Sequence, residues 1–216
     1  MMKETTLNEF IDIKKNILEN LSKFSAELKT NISEAKDYVK NLFSDIKDEC
    51  YTDYSERLKH TPIDPEYGHW EGERGESKFI PSPETEKGRA AISKLAEYGM
   101  DGIEFKNCEP DYSKCSEGTV RIENMTENRP SNFAQADIKL ADQWNKEMRE
   151  GRNDWKDEDV EKFRKSNNLS WHECCDTKTM NLVSRDIHGA DTSVFLHSGG
   201  VAECRVRDHV GGEFDE

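Results

Sequence analysis

The residue types best suited to chemistry in this chain begin at Leu169. They read Leu169-Ser-Trp-His-Glu173, then Cys-Cys-Asp-Thr-Lys-Thr, Met180-Asn-Leu-Val183, Ser184-Arg-Asp-Ile-His188 and, after a spacer, His197-Ser-Gly-Gly200. A neutral imidazole, with a pKa of about 6.5, can take a proton from water at neutral pH. One divalent ion held by nearby imidazole or carboxylate groups can neutralise the charge that develops on a leaving oxygen. Together these are the needs of phosphodiester cleavage, and two histidines with Asp176 make a sensible ligand set. Six histidines in 216 residues also produce such spacings by chance, so spacing alone does not separate a site from unrelated surface histidines.

The elements that must position these groups follow from the local pattern. The segment reads as strand, loop, strand, short helix. Side chains alternate along a strand, so Leu169 and Trp171 point to one face of the first strand and His172 to the other. Ser184 is an N-cap for a helix carrying His188, and a hairpin folded on that helix brings His172 opposite His188 around one small cavity. Upstream, helical patterns cover Gly88–Tyr98, Phe133–Met148 after the start signal Pro130-Ser131-Asn132, and Trp155–Lys165. Short strands are expected at Gly102–Lys106 and Thr119–Ile122, where apolar and polar residues alternate.

The first sixty residues differ from the rest. Leu7, Leu21, Leu28, Ala35 and Leu42 form one seven-residue series, and Ile11, Leu18, Ile32, Val39 and Ile46 form another. This is a helical apolar stripe. It is one helix or, with Asn31 and Glu34 capping a second, a helical hairpin. Its period near 3.5 favours association through residues 7–46, with a second copy or with another chain, over packing on its own domain. Pro62, Pro65, Gly68, Gly72 and Gly75 then mark the entry of a new domain. The expected organisation is an N-terminal helical segment over 1–60 and a mixed domain over 61–216. The fold class is α+β, ending in a ββα-metal core at about 166–204.

Charge and cysteine content narrow the classes. The chain carries 31 Lys+Arg against 45 Asp+Glu, a net charge of −14. No basic stripe runs along it, which weighs against ordinary nucleic-acid binding. The local cations available for phosphate are Lys178, Arg185 and Arg205, with Arg207 nearby and Arg129 folded back. No apolar run reaches the roughly 18 residues of a membrane span. The six cysteines contain no Cys-x-x-Cys pair, so reduced thiols are expected, with Cys108 and Cys115 near enough in sequence to bridge in an oxidising compartment.

The string Trp-His-Glu … Asp-Thr-Lys-Thr-Met-x-Leu-Val-x-x-x-Ile-His … His-x-Gly-Gly resembles the C-terminal nuclease domain of bacterial polymorphic toxins. The family is the HNH/endonuclease VII superfamily, in its Trp-His-His or Trp-His-Glu group. Gly72–Pro81, Tyr98–Glu104, Met125–Arg129 and Asn132–Asp137 are similar to the block that precedes the motif there, so the resemblance spans about residues 68–204. It implies a metal-dependent endonuclease with DNA preferred over RNA. His172 becomes the general base, with Glu173 and Asp176 beside it. His197, His188 and Asp176 become ligands of a single divalent ion: magnesium, or zinc, nickel or manganese. It also implies a toxin made in the bacterial cytoplasm, secreted into a target cell and held off in its producer by an immunity protein. The sequence departs from that pattern at Ser184, where these toxins usually have Pro, and in the nine-residue step from His188 to His197. The usual central Asn has no clean counterpart, with Asn181 on the second strand and Thr179 in the loop.

Two rival readings belong to other classes. One is a noncatalytic zinc-stabilised module using Cys174, Cys175, His188 and His197, in which adjacent cysteines fit one tetrahedral ion poorly. The other is a helical interaction protein whose function lies in residues 1–60.

Overall fold

A computed structural model describes residues 50–189 and 191–211. The apolar stripe over residues 7–46, and the association expected from it, lie outside the described residues. The chain divides into Met1–Asp48 and Glu49–Glu216, upstream of the boundary expected at Thr61. The short helix α1 (Tyr54–Lys59) belongs to the second unit, where the buried Arg57 donates from Nε to the carbonyl of Asn107 at 3.1 Å and from Nη2 to the Asn107 side chain at 2.5 Å.

The second unit is α+β, with two small antiparallel sheets. Strands β1 (Gly68–Trp70), β2 (Lys78–Pro81), β3 (Ile103–Lys106) and β4 (Glu109–Pro110) form one in sequential order, crossed by helix α2 (Glu86–Ala96) between β2 and β3. Strand β5 (Ser116–Arg121) starts the other. Two helices follow, α3 (Arg129–Glu147) and α4 (Asp157–Ser166), before β6 (Leu169–Glu173) and β7 (Thr179–Ser184) complete the sheet in the order β5-β7-β6. Helix α5 (Gly200–Gly211) closes the described chain. Among the described residues, no helix is long and apolar enough to cross a membrane.

Local chemistry accounts for these boundaries. Asn128 caps α3 by accepting from Ser131 N–H at 3.1 Å, and Pro130 occupies the first turn, where its missing N–H costs nothing. Met148 ends the helix in the left-handed region at φ 52°. Thr85 caps α2 in the same way as Asn128 caps α3. The helices expected at Gly88–Tyr98, Phe133–Met148 and Trp155–Lys165 all form, the first two beginning earlier than expected, next to caps at Thr85 and Asn128, and the third beginning at Asp157. The first strand of the hairpin forms at Leu169–Glu173, as expected.

Period-two alternation along the hairpin separates two cores. Leu169 and Trp171 on β6, with Met180 and Leu182 on β7, pack against Leu140 and Trp144 of α3 and Val160 of α4. Val183, on the opposite face, joins Phe79, Leu95, Ile103, Tyr112 and Phe195. The first core contains a buried ionic triad. Arg164 of α4 grips both oxygens of Asp137 of α3, with Nη2 2.8 Å from Oδ2 and Nε 3.2 Å from Oδ1, and the Trp171 indole N–H donates to Oδ1 at 2.7 Å.

Two expectations are corrected here. No helix begins at Ser184: residues 185–188 make a turn in which the N–H groups of Ile187 and His188 both reach the Ser184 carbonyl. The Thr192 hydroxyl caps the Arg185 carbonyl, which the next helical residue would otherwise use, and a Cβ on Gly189 would lie 2.6 Å from that same oxygen. The helix after β7 therefore starts only at Gly200. The thiols are not all reduced either. Cys50 and Cys175 form a disulfide across 125 positions, while Cys108 and Cys115 are both free and buried. The closeness of Cys108 to Cys115 in sequence carried no information, because Cys108 stands at a left-handed turn (φ 65°) after β3 and Cys115 ends a 3-10 turn after β4.

The triad yields a test of the fold. Asp137→Ala leaves the Arg164 charge and the Trp171 N–H without their buried partner, and a broken buried pair costs about 3–5 kcal/mol. Urea unfolding should report a loss of that size, and a loss below about 1 kcal/mol would place the pair in solvent-screened surroundings.

Candidate active site

The hairpin register sets the site. His172 on β6 lies directly opposite Asn181 on β7, and both point away from the core that holds Trp171 and Leu182. The turn after β7 brings in His188, and the segment before α5 brings in His197. The three imidazoles converge, with ring centroids 4.8 Å apart for His172 and His188, 4.9 Å for His172 and His197, and 5.4 Å for His188 and His197. The nine-residue step thus does not keep His188 and His197 apart. All three line a cavity of about 480 Å³ whose wall also carries Arg129, Glu173 and Arg185.

Hydrogen bonds fix what each ring offers. His197 Nδ1 stands 2.9 Å from the Phe195 carbonyl, which can only accept, so this nitrogen carries the proton and Nε2 a lone pair. His172 Nδ1 stands 3.3 Å from Asn181 Oδ1, whose amide nitrogen donates to Thr119 Oγ1 at 2.9 Å. If His172 Nδ1–H donates there, its Nε2 also carries a lone pair, and the two Nε2 atoms face each other at 3.0 Å. Two bare lone pairs at that distance repel. Either a proton on one Nε2 or a shared cation resolves the conflict, and imidazole nitrogens sit roughly 2.0–2.1 Å from zinc-like ions. The residues present therefore fit a divalent ion.

Electrostatics keeps the rings neutral and able to ligate. Burial, then the neighbouring His197, then Arg129 hold His172 well below the usual imidazole range, against the opposing bond to Asn181. Burial, His172 and His197 do the same for His188. Burial, helped by Arg129 and opposed by the Phe195 bond, lowers His197 to about 4. His172 itself is only 1% exposed, so the strand histidine is enclosed and its chemistry must act through the cavity.

The other predicted residues are distributed unevenly. Glu173 is buried at the cavity wall, accepting from Asn132 Nδ2 at 2.7 Å and pairing with Arg129 Nε at 3.1 Å. Burial raises its carboxyl, with Asn132 and then Arg129 acting the other way. Asp176 serves the β6–β7 turn: Oδ1 accepts from Lys178 N–H at 2.9 Å and Thr179 N–H at 2.7 Å, and Oδ2 from Thr179 Oγ1 at 2.6 Å. It does not line the cavity. Of the three cations named for phosphate, Arg185 lines the cavity, Arg205 pairs with Glu127 at 2.8 Å on an exposed surface, and Lys178 lies in the turn.

Tyr112 and Glu109 had no signal of their own in the sequence, and Cys174 entered it only as a ligand in the zinc-module reading. Tyr112 packs edge-on against His172 with centroids 4.8 Å apart, and its buried hydroxyl has no hydrogen-bond partner. Behind His172, Cys174 Sγ lies 3.2 Å from Asn181 Oδ1 and 3.6 Å from His172 Nδ1. Glu109 of β4 accepts from Cys175 N–H at 2.5 Å, and burial, reinforced by Asp176 and Glu203, pushes it up to about 7. Glu109, His172 and Cys174 offer three ligand atoms within 4.8 Å of one another. Gly200 has a plain reason in packing: a Cβ there would lie 2.6 Å from the Cys174 carbonyl, so only glycine lets α5 approach the β6–β7 turn.

No curated protein matches the chain. Residues 102–199, which carry β3 to β7 and all three clustered histidines, match the model of the DNase/tRNase domain of colicin-like bacteriocin, and that match supports a bacteriocin nuclease domain in this part of the chain.

Proposed function

We propose that the second unit is a metal-dependent endonuclease acting on DNA, the effector of a bacterial toxin. The observation that carries the reading is the convergence of His172, His188 and His197, ring centroids 4.8–5.4 Å apart, on one cavity with two arginines on its wall. In this reading His197 and His188 hold one divalent ion, of the magnesium, manganese, nickel or zinc class. Such an ion supplies neutralisation of charge on the leaving oxygen. His172, its Nδ1 bound to Asn181 Oδ1, keeps Nε2 free to take a proton from the attacking water. Arg185 and Arg129 receive the phosphate, and Glu173 holds the exposed Arg129 guanidinium from a buried position. The acidity of the chain does not oppose this, since net charge governs steering and solubility more than a cleft's local chemistry. Delivery into a target cell and restraint by an immunity protein in the producer belong to the same proposal.

The 3.0 Å contact between the two Nε2 atoms favours a second assignment, in which His172 is itself a ligand beside His197. Plasmid cleavage by the full chain, with and without chelator, tests the main reading: chelation should abolish cleavage and added divalent metal restore it. His172→Ala then separates the assignments. If His172 is the base, cleavage is lost while metal still raises the melting temperature of the chelated protein through binding linkage. If His172 is a ligand, the variant loses both. Full cleavage by His172→Ala overturns both assignments.

A pH dependence follows from His197. The folded imidazole protonates only at about 4, whereas an unfolded one takes its proton at about 6.5. Between these values the unfolded state binds more protons, so this group contributes stability above about pH 6.5 that is lost as pH falls toward 4. His197→Gln should reduce the slope of stability against pH in that window by up to one proton, read from urea midpoints at about pH 7 and about pH 5. An unchanged slope would show that His197 is solvated and titrates normally.

A further inference from the structure

His172 has two nitrogens, and only one of them faces the cavity. On the other side, Nδ1 meets the Cys174 thiol at 3.6 Å, and the Glu109 carboxylate completes a set of three ligand atoms within 4.8 Å. Asn181 Oδ1 lies 3.2 Å from the same sulfur. Each group is held by the fold: Glu109 through the Cys175 N–H, Cys174 through the β6–β7 turn, and His172 through the sheet. Thiolate, imidazole and carboxylate together suit a soft or borderline ion, of the zinc or cadmium class, and suit magnesium poorly.

We propose that Glu109, His172 and Cys174 form an inner cation site that switches the cavity off. An ion bound there takes the Nδ1 lone pair of His172 and displaces its bond to Asn181, while the Cys174 proton is released to solvent. A neutral imidazole has one lone pair and one N–H, so the remaining proton then sits on Nε2. Protonated Nε2 donates to His197 Nε2 across the existing 3.0 Å contact and occupies that lone pair too. Both cavity-facing nitrogens are thereby used up. Whether His172 serves as base or as ligand, the inner ion and the active cavity exclude each other. The binding site stands on its own geometry, and only the loss of cleavage rests on the function proposed above.

Cadmium is the probe, because its bond to a thiolate gives an ultraviolet charge-transfer band. The full chain, freed of metal and kept without reductant so that the Cys50–Cys175 disulfide persists, is titrated with cadmium while the band is followed. Cleavage of plasmid in magnesium is measured in parallel, with each variant's rate divided by its own rate without cadmium. The expected result is a band saturating at one cadmium per chain and cleavage falling with the fraction of protein loaded. Cys174→Ser should remove the band and the cadmium sensitivity together. Glu109→Gln, which keeps the thiol, should weaken cadmium binding by on the order of tenfold or more. No band in the wild-type protein, or an equal band in Cys174→Ser, overturns the site, the latter by placing cadmium on another cysteine. A Cys174-dependent band with undiminished cleavage overturns the switch. If the protein cleaves nothing under any metal, the proposed function fails and the band alone decides the site.

Discussion

A slip of one residue between β6 and β7 would exchange Trp171 and His172 between the two faces of the sheet, because the side-chain period of a strand is two. The Trp171 indole N–H, bound to the buried Asp137 carboxylate, resists that slip. Asp137 is fixed in turn by Arg164, so α3, α4 and β6 share one charged contact inside an apolar core. With Trp171 committed inward, His172 must face the opposite side and meet Asn181 across the ladder. The orientation of the cavity's central imidazole is therefore decided on the far face of the sheet.

The same arrangement explains how an acidic chain builds a cavity lined by imidazole and arginine. The acidic side chains around the site have partners: Glu109 accepts from the Cys175 N–H, Glu173 binds Asn132 and Arg129, and Asp176 takes the turn's N–H groups. What remains at the cavity is neutral imidazole with arginine on the wall. Burial lowers all three histidines, and the repulsion between them and Arg129 adds to it. A low-dielectric pocket that keeps its ligands unprotonated is ready for an ion without competition from protons.

Behind the site, the chain ties itself together over long sequence distances. The Cys50–Cys175 disulfide, the Thr52 bond to the buried Glu203, and Arg57 on Asn107 attach the segment at α1 to the β6–β7 turn, to α5 and to the β3–β4 turn in that order. Closing a loop of this length restricts the unfolded chain by about 4–5 kcal/mol in the chain-entropy account. The segment 50–60 is thus a working part of the second unit. The rival in which Cys174 and Cys175 share a zinc ion with His188 and His197 does not fit the structure described, since Cys175 is committed to the disulfide.

The sequence by itself determined the parts that depend on near neighbours. Period-two alternation placed Leu169 and Trp171 opposite His172, and the start signal Pro130-Ser131-Asn132 with the apolar spacing of α3 placed that helix close to where it forms. Residue type marked His172, His188 and His197, and the resemblance to toxin nucleases assigned them to one site. Tertiary structure decided what depends on contact between distant segments. The helix expected at Ser184 gave way to a turn because Thr192 and Gly189 fold back on Arg185. The union of His188 with His197 was likewise settled only in the fold. Asp176 resembled a ligand by type, and in the fold its carboxylate accepts from the N–H groups of Lys178 and Thr179 in the β6–β7 turn. Glu109, Tyr112 and Cys50 had no local pattern to mark them, since each reaches the site through strand order and a disulfide that no spacing rule encodes.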